Sequence, residues 1–516
     1  MRGMVRACAV LAVTALVTPA ARAEWRQLTS DHMVIWSNDR DERALRRVAD
    51  DVERFDAASR RVLGVAAPGS KANKLQVFVV PGVDGLRAIQ GSPENWTLGM
   101  YRPGSSDTVA LVPGTHGTSP ASTLYGDTAG VLLRMYGNHL FARTMSGSVP
   151  RWLRNGMVEA LSTAVVKPDG AVQLGGAESL QAYERERADL PLEALLTLPQ
   201  PSKSEAEQAR AVAKAWLFAH YFLFDEARGI QLKAFLQALD TGAPPLAAAR
   251  QAFGDLAKLD AALHAYAVQK RLPVRLTPAT ELQVTRFQVR ALTPGEGAMM
   301  VIHMRSAYGV TSRTAPLVAT DARAVAASYP ADATVQVWLA EAEHDVQQYA
   351  AAEAAEARAL AADPRLARAH YYRALTAFSR ARRGKDQSAA TWESVRALAR
   401  TAMQMDPDRP APLVLYFTTY LFQNARPSAE ALAALERAHA LAPEAPDLPP
   451  LLIRGYLATG RFAEARPLLA LYAADPGSSP AAAAAAAARM ITAIDAGRAE
   501  EQIDVFNQAV PFGIAT

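Results

Sequence analysis

Regularly spaced prolines in the last third of the chain restrict its fold more than any other feature of the sequence. Intervals of 34, 43, 36 and 33 residues separate Pro330, Pro364, Pro407, Pro443 and Pro476. Because proline ends a helix, this spacing predicts helix pairs that repeat about every 34 residues. The longest interval contains a polar insertion at residues 382–391, which we expect in the turn between the two helices of its unit.

Small and aromatic residues recur at matching offsets within these units. One unit is predicted to hold Leu339 and Ala340 in its first helix and Tyr349, Ala352 and Ala359 in its second. In the unit before Pro476 the corresponding residues are Tyr456, Gly460, Phe462 and Ala465. Residues 297–500 therefore resemble a tetratricopeptide array, and an alanine-rich helical bundle is the alternative.

This resemblance implies an all-α solenoid over residues 291–516, with at least four units and a poorly matched first unit before Pro330. Such arrays bury their core between neighbouring repeats and leave a concave inner face open, which usually binds a peptide or a protein helix. The alanine-rich tract at residues 480–490 favours helix and predicts a C-terminal capping helix, with low-complexity surface as the alternative.

The region before the repeats reads as an α+β domain, mostly helical after a small mixed sheet. Strand patterns at residues 32–37, 75–80 and 108–114, with an amphipathic helix at residues 41–64, predict an α/β subdomain over residues 24–115. The buried stripe of that helix is expected at Leu45, Val48, Val52, Phe55 and Ala58.

A helical subdomain is predicted over residues 116–290. Helices are expected at residues 206–229 and 230–242, the second ended by Gly242, and a proline- and threonine-containing segment at residues 273–297 marks the junction with the repeats.

Two segments of this helical region have the spacing of a metallopeptidase helix pair. LLRMYGNHLF, residues 132–141, and VPRWLRNGMVEALS, residues 149–162, resemble the peptidase MA-like group of gluzincins. In that family two histidines of an HExxH helix bind zinc, the glutamate between them activates water, and a glutamate on the following helix is the third ligand. The resemblance covers residues 24 to about 275, because the strand and helix patterns on both sides of the two segments also fit.

The positions that would carry this chemistry hold other residues. The first zinc histidine falls on Arg134, the general-base glutamate on Met135, the second histidine on Asn138 and the third-ligand glutamate on Asn155. Arginine is a permanent cation without a lone pair for zinc, and methionine has no basic oxygen. The resemblance therefore implies a pseudoenzyme with no catalytic residue and no metal or other cofactor.

The residues that would pack the two helices are retained. They include Tyr136, Trp152, Gly156 and Glu159. Arg134, at the position of a metal ligand, is expected to pair with Glu159 and so brace the helices, although an exposed arginine is an equal alternative. We interpret His139 as a packed or surface histidine, and His220, in an apolar helix, as a hydrogen-bonded core histidine.

Residues 1–23 have the pattern of a secretory signal. Arg2 and Arg6 precede an apolar stretch, and small residues precede a predicted cleavage site after Ala23. We therefore expect a periplasmic or secreted protein. We expect no stable membrane insertion, since no later stretch reaches the ~18 uninterrupted apolar residues of a spanning helix.

Cleavage would remove Cys8, the only cysteine, and leave neither a disulfide nor a thiolate ligand. It would also remove three of the 55 basic residues, leaving 52 against 51 acidic residues, a balance that does not predict a nucleic-acid partner.

Three functions are consistent with these patterns. The favoured one is an exported, non-catalytic scaffold or adaptor whose repeats bind a peptide or protein partner. The alternative is an active zinc-dependent peptidase that uses unorthodox or misassigned ligands. A weaker possibility is that the former peptidase cleft binds an extended peptide without cutting it.

Overall fold

The computed structural model describes residues 25–38, 42–66, 72–80, 82–90, 99–114, 128–145, 149–176, 188–197, 204–241, 243–284, 287–474 and 481–510. The predicted signal sequence, Gly242, Pro476 and His116 lie outside these ranges. The strands within them are β1 Arg26–Thr29, β2 Met33–Ser37, β3 Leu75–Val80, β4 Met100–Arg102, β5 Val109–Pro113, β6 Val165–Val166, β7 Val172–Leu174, β8 Arg275–Thr277 and β9 Gln288–Ala291.

The helices of the N-terminal half are α1 Glu42–Leu63, α2 Gly82–Gln90, α3 Thr128–Thr144, α4 Arg151–Leu161, α5 Leu192–Thr197, α6 Glu205–Leu223, α7 Glu226–Asp240, α8 Pro245–Phe253 and α9 Leu256–Ala267. The helices that follow are α10 Pro294–Tyr308, α11 Ala315–Ser328, α12 Ala333–Asp345, α13 Tyr349–Ala362, α14 Ala367–Arg383, α15 Ala389–Met405, α16 Pro410–Phe422, α17 Ala429–Leu441, α18 Leu448–Thr459, α19 Phe462–Ala474, α20 Ala481–Asp495 and α21 Ile503–Ala509.

The main sheet is mixed and has the strand order β4-β5-β3-β2-β1-β9. Strands β2, β3 and β5 run parallel, while β1 is antiparallel to both β2 and β9, and β4 is antiparallel to β5. A smaller antiparallel sheet has the order β6-β7-β8. Strand β9 comes from the predicted junction segment, so the chain crosses back to the sheet edge before it enters the repeats.

The central strands β2, β3 and β5 are buried on both faces and their alternate residues enter different cores, whereas the edge strand β9 is mostly exposed. In β3, Leu75, Val77 and Val79 join a core with the helices α1, α3 and α4. Phe78 and Val80 of the same strand join a second core formed with the helices α10 to α18, which we call the repeat helices. Because side chains alternate across a strand, the continuous apolar run of β3 satisfies both layers. The sheet is thus the middle layer of the molecule.

The helix pairs of the C-terminal part fall where the proline spacing predicts them. Helices α11, α13, α15 and α17 end at Ser328, Ala362, Met405 and Leu441, each just before one of the prolines. The first helices of consecutive pairs, α10, α12, α14 and α16, contact one another and form a row, which we call the first-helix row. The polar insertion lies between α14 and α15, as expected, and the alanine-rich tract forms α20.

Two expectations from the sequence were wrong. The helix predicted at residues 206–229 ends at Leu223, because Asp225 caps the next helix by accepting a hydrogen bond from the Arg228 amide, so α7 begins at Glu226. The inner face of the repeats, expected to be open, is covered by the N-terminal sheet. Trp36 contacts Trp338 of α12 edge-on at 6.5 Å between ring centroids, and Phe78 contacts His303 of α10 at 5.8 Å.

Among the helices of the described ranges, none combines the length and the apolar composition that crossing a bilayer requires.

Because one sheet is shared by both cores, we expect the whole chain to unfold in one cooperative transition. Phe78→Ala should lower the free energy of unfolding by about 3–5 kcal/mol, and helical circular dichroism and tryptophan fluorescence should report the same midpoint. Val505→Ala, at a side chain 40% exposed, is the matched control and should change stability by less than about 0.5 kcal/mol. Separate transitions of the repeats and the N-terminal half would contradict the shared core.

Candidate functional site: the altered metal motif and the contact with the repeats

The two motif helices, α3 and α4, are held in place by the retained residues. Trp152 of α4 lies edge-on to Phe218 of α6, with 5.2 Å between ring centroids. Gly156 lies where α4 crosses α6, and a Cβ atom at this position would be 2.2 Å from the carbonyl oxygen of Ala215. Only glycine allows this approach, so the retained Trp152 and Gly156 have a structural reason that does not involve a metal.

Tyr136 of α3 is buried, and its side chain is hydrogen-bonded to α1. Its hydroxyl donates to Oδ1 of Asp56 at 2.9 Å, and its ring contacts Phe55 edge-on. The helix α1 is therefore fixed to α3 by a polar and an aromatic contact within one turn.

The ion pair expected between Arg134 and Glu159 is present. Nε of Arg134 donates to Oε1 of Glu159 at 2.7 Å, and Nη2 donates to Oε2 at 2.9 Å. The two side chains are 23% and 31% exposed, so solvent screens the pair only in part. A fork-to-fork pair of this kind fixes both side chains and joins α3 to α4.

The other altered positions do not assemble a set of metal ligands. Asn138 donates from Nδ2 to the backbone oxygen of Arg134 at 2.9 Å, Met135 packs at the edge of the N-terminal core, and Asn155 is half-buried on α4. In the part of the chain that the structure describes, no three His, Cys, Asp or Glu side chains are grouped so that they could hold a metal ion. The residues at the zinc positions therefore do not fit the metal of the family.

The two histidines discussed from the sequence are both packed. His220 is fully buried, with Nδ1 at 2.9 Å from the Tyr266 hydroxyl and Nε2 at 2.9 Å from the Gly175 carbonyl. His139 is also buried, next to Tyr101. Burial and the nearby Arg143 hold the pKa of His139 well below its usual value, so its ring is neutral at pH 7.

A buried acidic cluster between β2 and α1 was not predicted. Glu53 and Asp56 are buried on α1; Oε2 of Glu53 lies 2.7 Å from Nδ1 of His32, and Arg60 donates to Asp56. Burial lowers the pKa of His32, but Glu53 and Asp56 outweigh it and the pKa is raised. The adjoining cavity of about 10 Å³ has room for about one water molecule. This cluster therefore has no space for a substrate.

Helix α3 contacts the repeats through Arg143, which binds Glu444 in the loop between α17 and α18. Nη1 of Arg143 donates to Oε1 of Glu444 at 3.2 Å, and Nδ2 of Asn73 donates to the same oxygen at 2.7 Å. Burial raises the pKa of Glu444, although Arg143 opposes that effect. Helix α3 is thus tied directly to the repeat helices.

A second polar contact joins the β4–β5 turn to the first-helix row. Asp107 of this turn accepts from Nη1 of Arg368 at 3.0 Å and from Nη2 of Arg409 at 3.1 Å. Burial alone would raise the pKa of Asp107, but the two arginines outweigh it and the pKa lies below its usual value. Arg368 also donates twice from Nη2 to Glu341 of α12, at 3.0 Å to each oxygen.

Sequence reasoning did not predict these two contacts. Asp107 and Arg368 are 261 residues apart in the chain, and neither lies in a recognisable pattern. The sequence gives only a weak indication that Glu53 and Asp56 are buried together: their spacing of three puts both beside the predicted apolar stripe of α1. Only the tertiary arrangement shows that these charges are buried.

Comparison with protein-family models and with curated proteins found no match to this chain. The metallopeptidase-like and tetratricopeptide assignments therefore rest on the residues and spacings described above.

Arg134→Ala tests the brace between the motif helices. Because the substitution leaves Glu159 without this partner, we expect the free energy of unfolding to fall by about 1 kcal/mol. Arg134→Lys keeps the charge but cannot form the two parallel bonds, so its stability should lie between the alanine variant and the wild type. An unchanged denaturation midpoint in Arg134→Ala would contradict the brace.

The buried Glu341 predicts a loss of stability in acid. Burial would raise its pKa, but Arg368 outweighs it and lowers the pKa from 4.5 to about 2. A carboxyl with a folded-state pKa below its unfolded value stabilises the fold above about pH 4.5, and this contribution, roughly 3 kcal/mol, disappears as the pH falls towards 2.

Urea denaturation between pH 7 and pH 2 measures this contribution. Glu341→Gln should lower the stability at pH 7 and flatten the profile below pH 4.5. Glu193→Gln, at an acid 57% exposed in its ion pair with Arg250, is the control and should leave the profile unchanged. A Glu341→Gln profile parallel to that of the wild type would exclude a role for this carboxyl.

Proposed function

We propose that this protein is an exported, non-catalytic scaffold or adaptor. In this proposal a metallopeptidase-like domain that has lost its metal is joined to a tetratricopeptide array that binds a peptide or protein partner. The observation that carries the proposal is the double hydrogen bond between Arg134 and Glu159 at the position of the zinc ligands.

Metal-assisted hydrolysis needs three protein ligands, an open coordination position and a base for the attacking water. The guanidinium of Arg134 is a fixed positive charge where a dication would have to sit, and it already satisfies both oxygens of Glu159. Met135 has no oxygen to accept the proton of a water molecule. Since both the metal ligands and the base are missing from these positions, a structural role of the domain is better supported than a catalytic one.

A binding role is supported by the repeat helices. Two arginines near the starts of these helices, Arg368 and Arg409, are 16% and 20% exposed and already hold a carboxylate from another part of the chain. This arrangement is chemically suited to protein recognition, because a guanidinium pairs with carboxylates at defined geometry.

The alternative, a zinc peptidase with unorthodox ligands, has less support. One group of a histidine and two carboxylates is His32, Glu53 and Asp56, but its members are already engaged with one another, with Tyr136 and with Arg60. A site of this kind would also need space for a substrate, which the adjoining cavity of about 10 Å³ lacks.

Elemental mass spectrometry on the mature chain, residues 24–516, offered zinc and then dialysed, tests the proposal. We expect no stoichiometric metal in the wild type. A variant with Arg134→His, Met135→Glu, Asn138→His and Asn155→Glu restores the family motif and should hold about one zinc per chain.

The same variant without Asn155→Glu is the control and should hold zinc more weakly, because it lacks the third ligand. One tightly bound zinc in the wild type would overturn the non-catalytic proposal. Absence of zinc from the restored variant would instead show that the motif register is wrong.

A further inference from the structure

The turn between β4 and β5, residues 103–108, lies against the inner side of the repeats, and we call it the inserted turn. Its Asp107 is bound by Arg368 at the start of α14 and by Arg409 just before α16. Nη2 of Arg409 also donates to the backbone oxygen of Ser106 at 3.2 Å. The arginines thus bind both a side chain and the backbone of this turn, as they would bind a peptide.

Ser105 of the inserted turn contacts α18, the first helix of the pair that follows the first-helix row. Oγ of Ser105 donates to Oδ2 of Asp447, at the start of α18, at 2.5 Å. The turn therefore contacts the beginnings of three successive first helices, α14, α16 and α18. A short extended segment that spans several repeats is the arrangement in which a helical array holds a ligand.

The inserted turn fills its groove incompletely. A cavity of about 20 Å³ remains between Ser105, Ser106 and an apolar wall of the repeats. The wall consists of Tyr371, Leu375, Ala411, Val414, Leu415 and Leu451. Because the two serine side chains are small, they make fewer van der Waals contacts with this apolar wall than larger side chains would make. A different segment could therefore replace the turn without losing close packing.

Arg368 has a strong second partner outside the turn, whereas the contact of Arg409 outside the turn is a distant one. Arg368 is held by its two bonds to Glu341, and the guanidinium of Arg409 lies 6.0 Å from the centre of the Tyr371 ring. The sheet is anchored separately, through Trp36 on Trp338 and Phe78 on His303. Asn73 holds Gly104 and Thr108 at the two ends of the turn, so the part that can leave while the sheet stays docked is residues 105–107.

We propose that Arg368 and Arg409 form a binding site for an acidic segment of a partner protein, and that the inserted turn is the internal competitor for this site. This inference rests on the proposed binding function and specifies its ligand class and its regulation. A competitor carried on the same chain is always present at high effective concentration, so it lowers the apparent affinity for every external ligand.

The test is fluorescence anisotropy with a labelled peptide, PGSSDT, which copies residues 103–108, titrated with the full mature chain. Asp107→Asn weakens the internal competitor, so this variant should bind the peptide at least tenfold more tightly than the wild type. A peptide with asparagine in place of its aspartate should bind the same variant at least tenfold more weakly. Adding Arg409→Ala to Asp107→Asn should abolish the gain.

Asp84→Asn, at a carboxylate 93% exposed in its pair with Arg87, is the matched control and should bind like the wild type. Equal affinity of the wild type and Asp107→Asn would overturn the role of the turn as a competitor. Absence of binding to either, with Asp107→Asn folded by circular dichroism, would overturn the acidic-ligand site. Neither outcome bears on the zinc measurement, which judges the non-catalytic proposal separately.

A covalent lock gives a second test in case Asp107→Asn does not fold. Ser105→Cys with Asp447→Cys places two thiols where the hydroxyl and carboxylate now meet, in a mature chain predicted to contain no other cysteine. The oxidised protein should not bind the peptide, and reduction should restore wild-type binding. Equal peptide binding by the oxidised and reduced forms would overturn the proposal.

Discussion

Burial of the central strands β2, β3 and β5 on both faces is the constraint on which the rest of the structure depends. A sheet with two apolar faces must be covered twice, and α1 and α3 cover one face while the first-helix row covers the other. The inner side of the repeats is consequently part of the core. Helix α16 illustrates this, since residues 410–419 are buried throughout. The two halves of the chain therefore form one folding unit.

Helices α3 and α4 are joined by one ion pair, and α4 also packs closely against α6. A zinc site joins helices through coordination bonds, and its loss would leave two helices without a link at their centre. The ion pair of Arg134 and Glu159 links the two helices. Because both side chains are partly exposed, the pair stabilises the fold far less than a structural metal would. Packing at Trp152 and Gly156 also holds α4 against α6, and this packing requires no metal.

The sequence was informative where a local pattern determines structure. Short apolar runs with β-branched residues, bounded by turn residues, predicted β2, β3 and β5 to within a residue or two, and spaced prolines predicted the ends of α11, α13, α15 and α17. The ion pair of Arg134 with Glu159 was expected from the place of Arg134 in the motif, with an exposed arginine as the equal alternative. The sequence was silent on Asp107 and Glu444, because the arginines that bind them are 261 and 301 residues distant. The openness of the repeats was wrongly predicted for the same reason, since periodicity within an array does not show what covers it.

The buried charges between the halves impose a further condition on any partner. Arg368, Glu341 and Asp107 form a chain of alternating charges in which each group satisfies its neighbour. Removing one member without replacement leaves an unpaired buried charge, which costs several kcal/mol. Glu341 can compensate Arg368 alone, but Arg409 would be left without a carboxylate. A ligand that displaces the turn must therefore bring its own negative charge to Arg409, and a neutral peptide of the same shape would bind less favourably than the turn that it displaces.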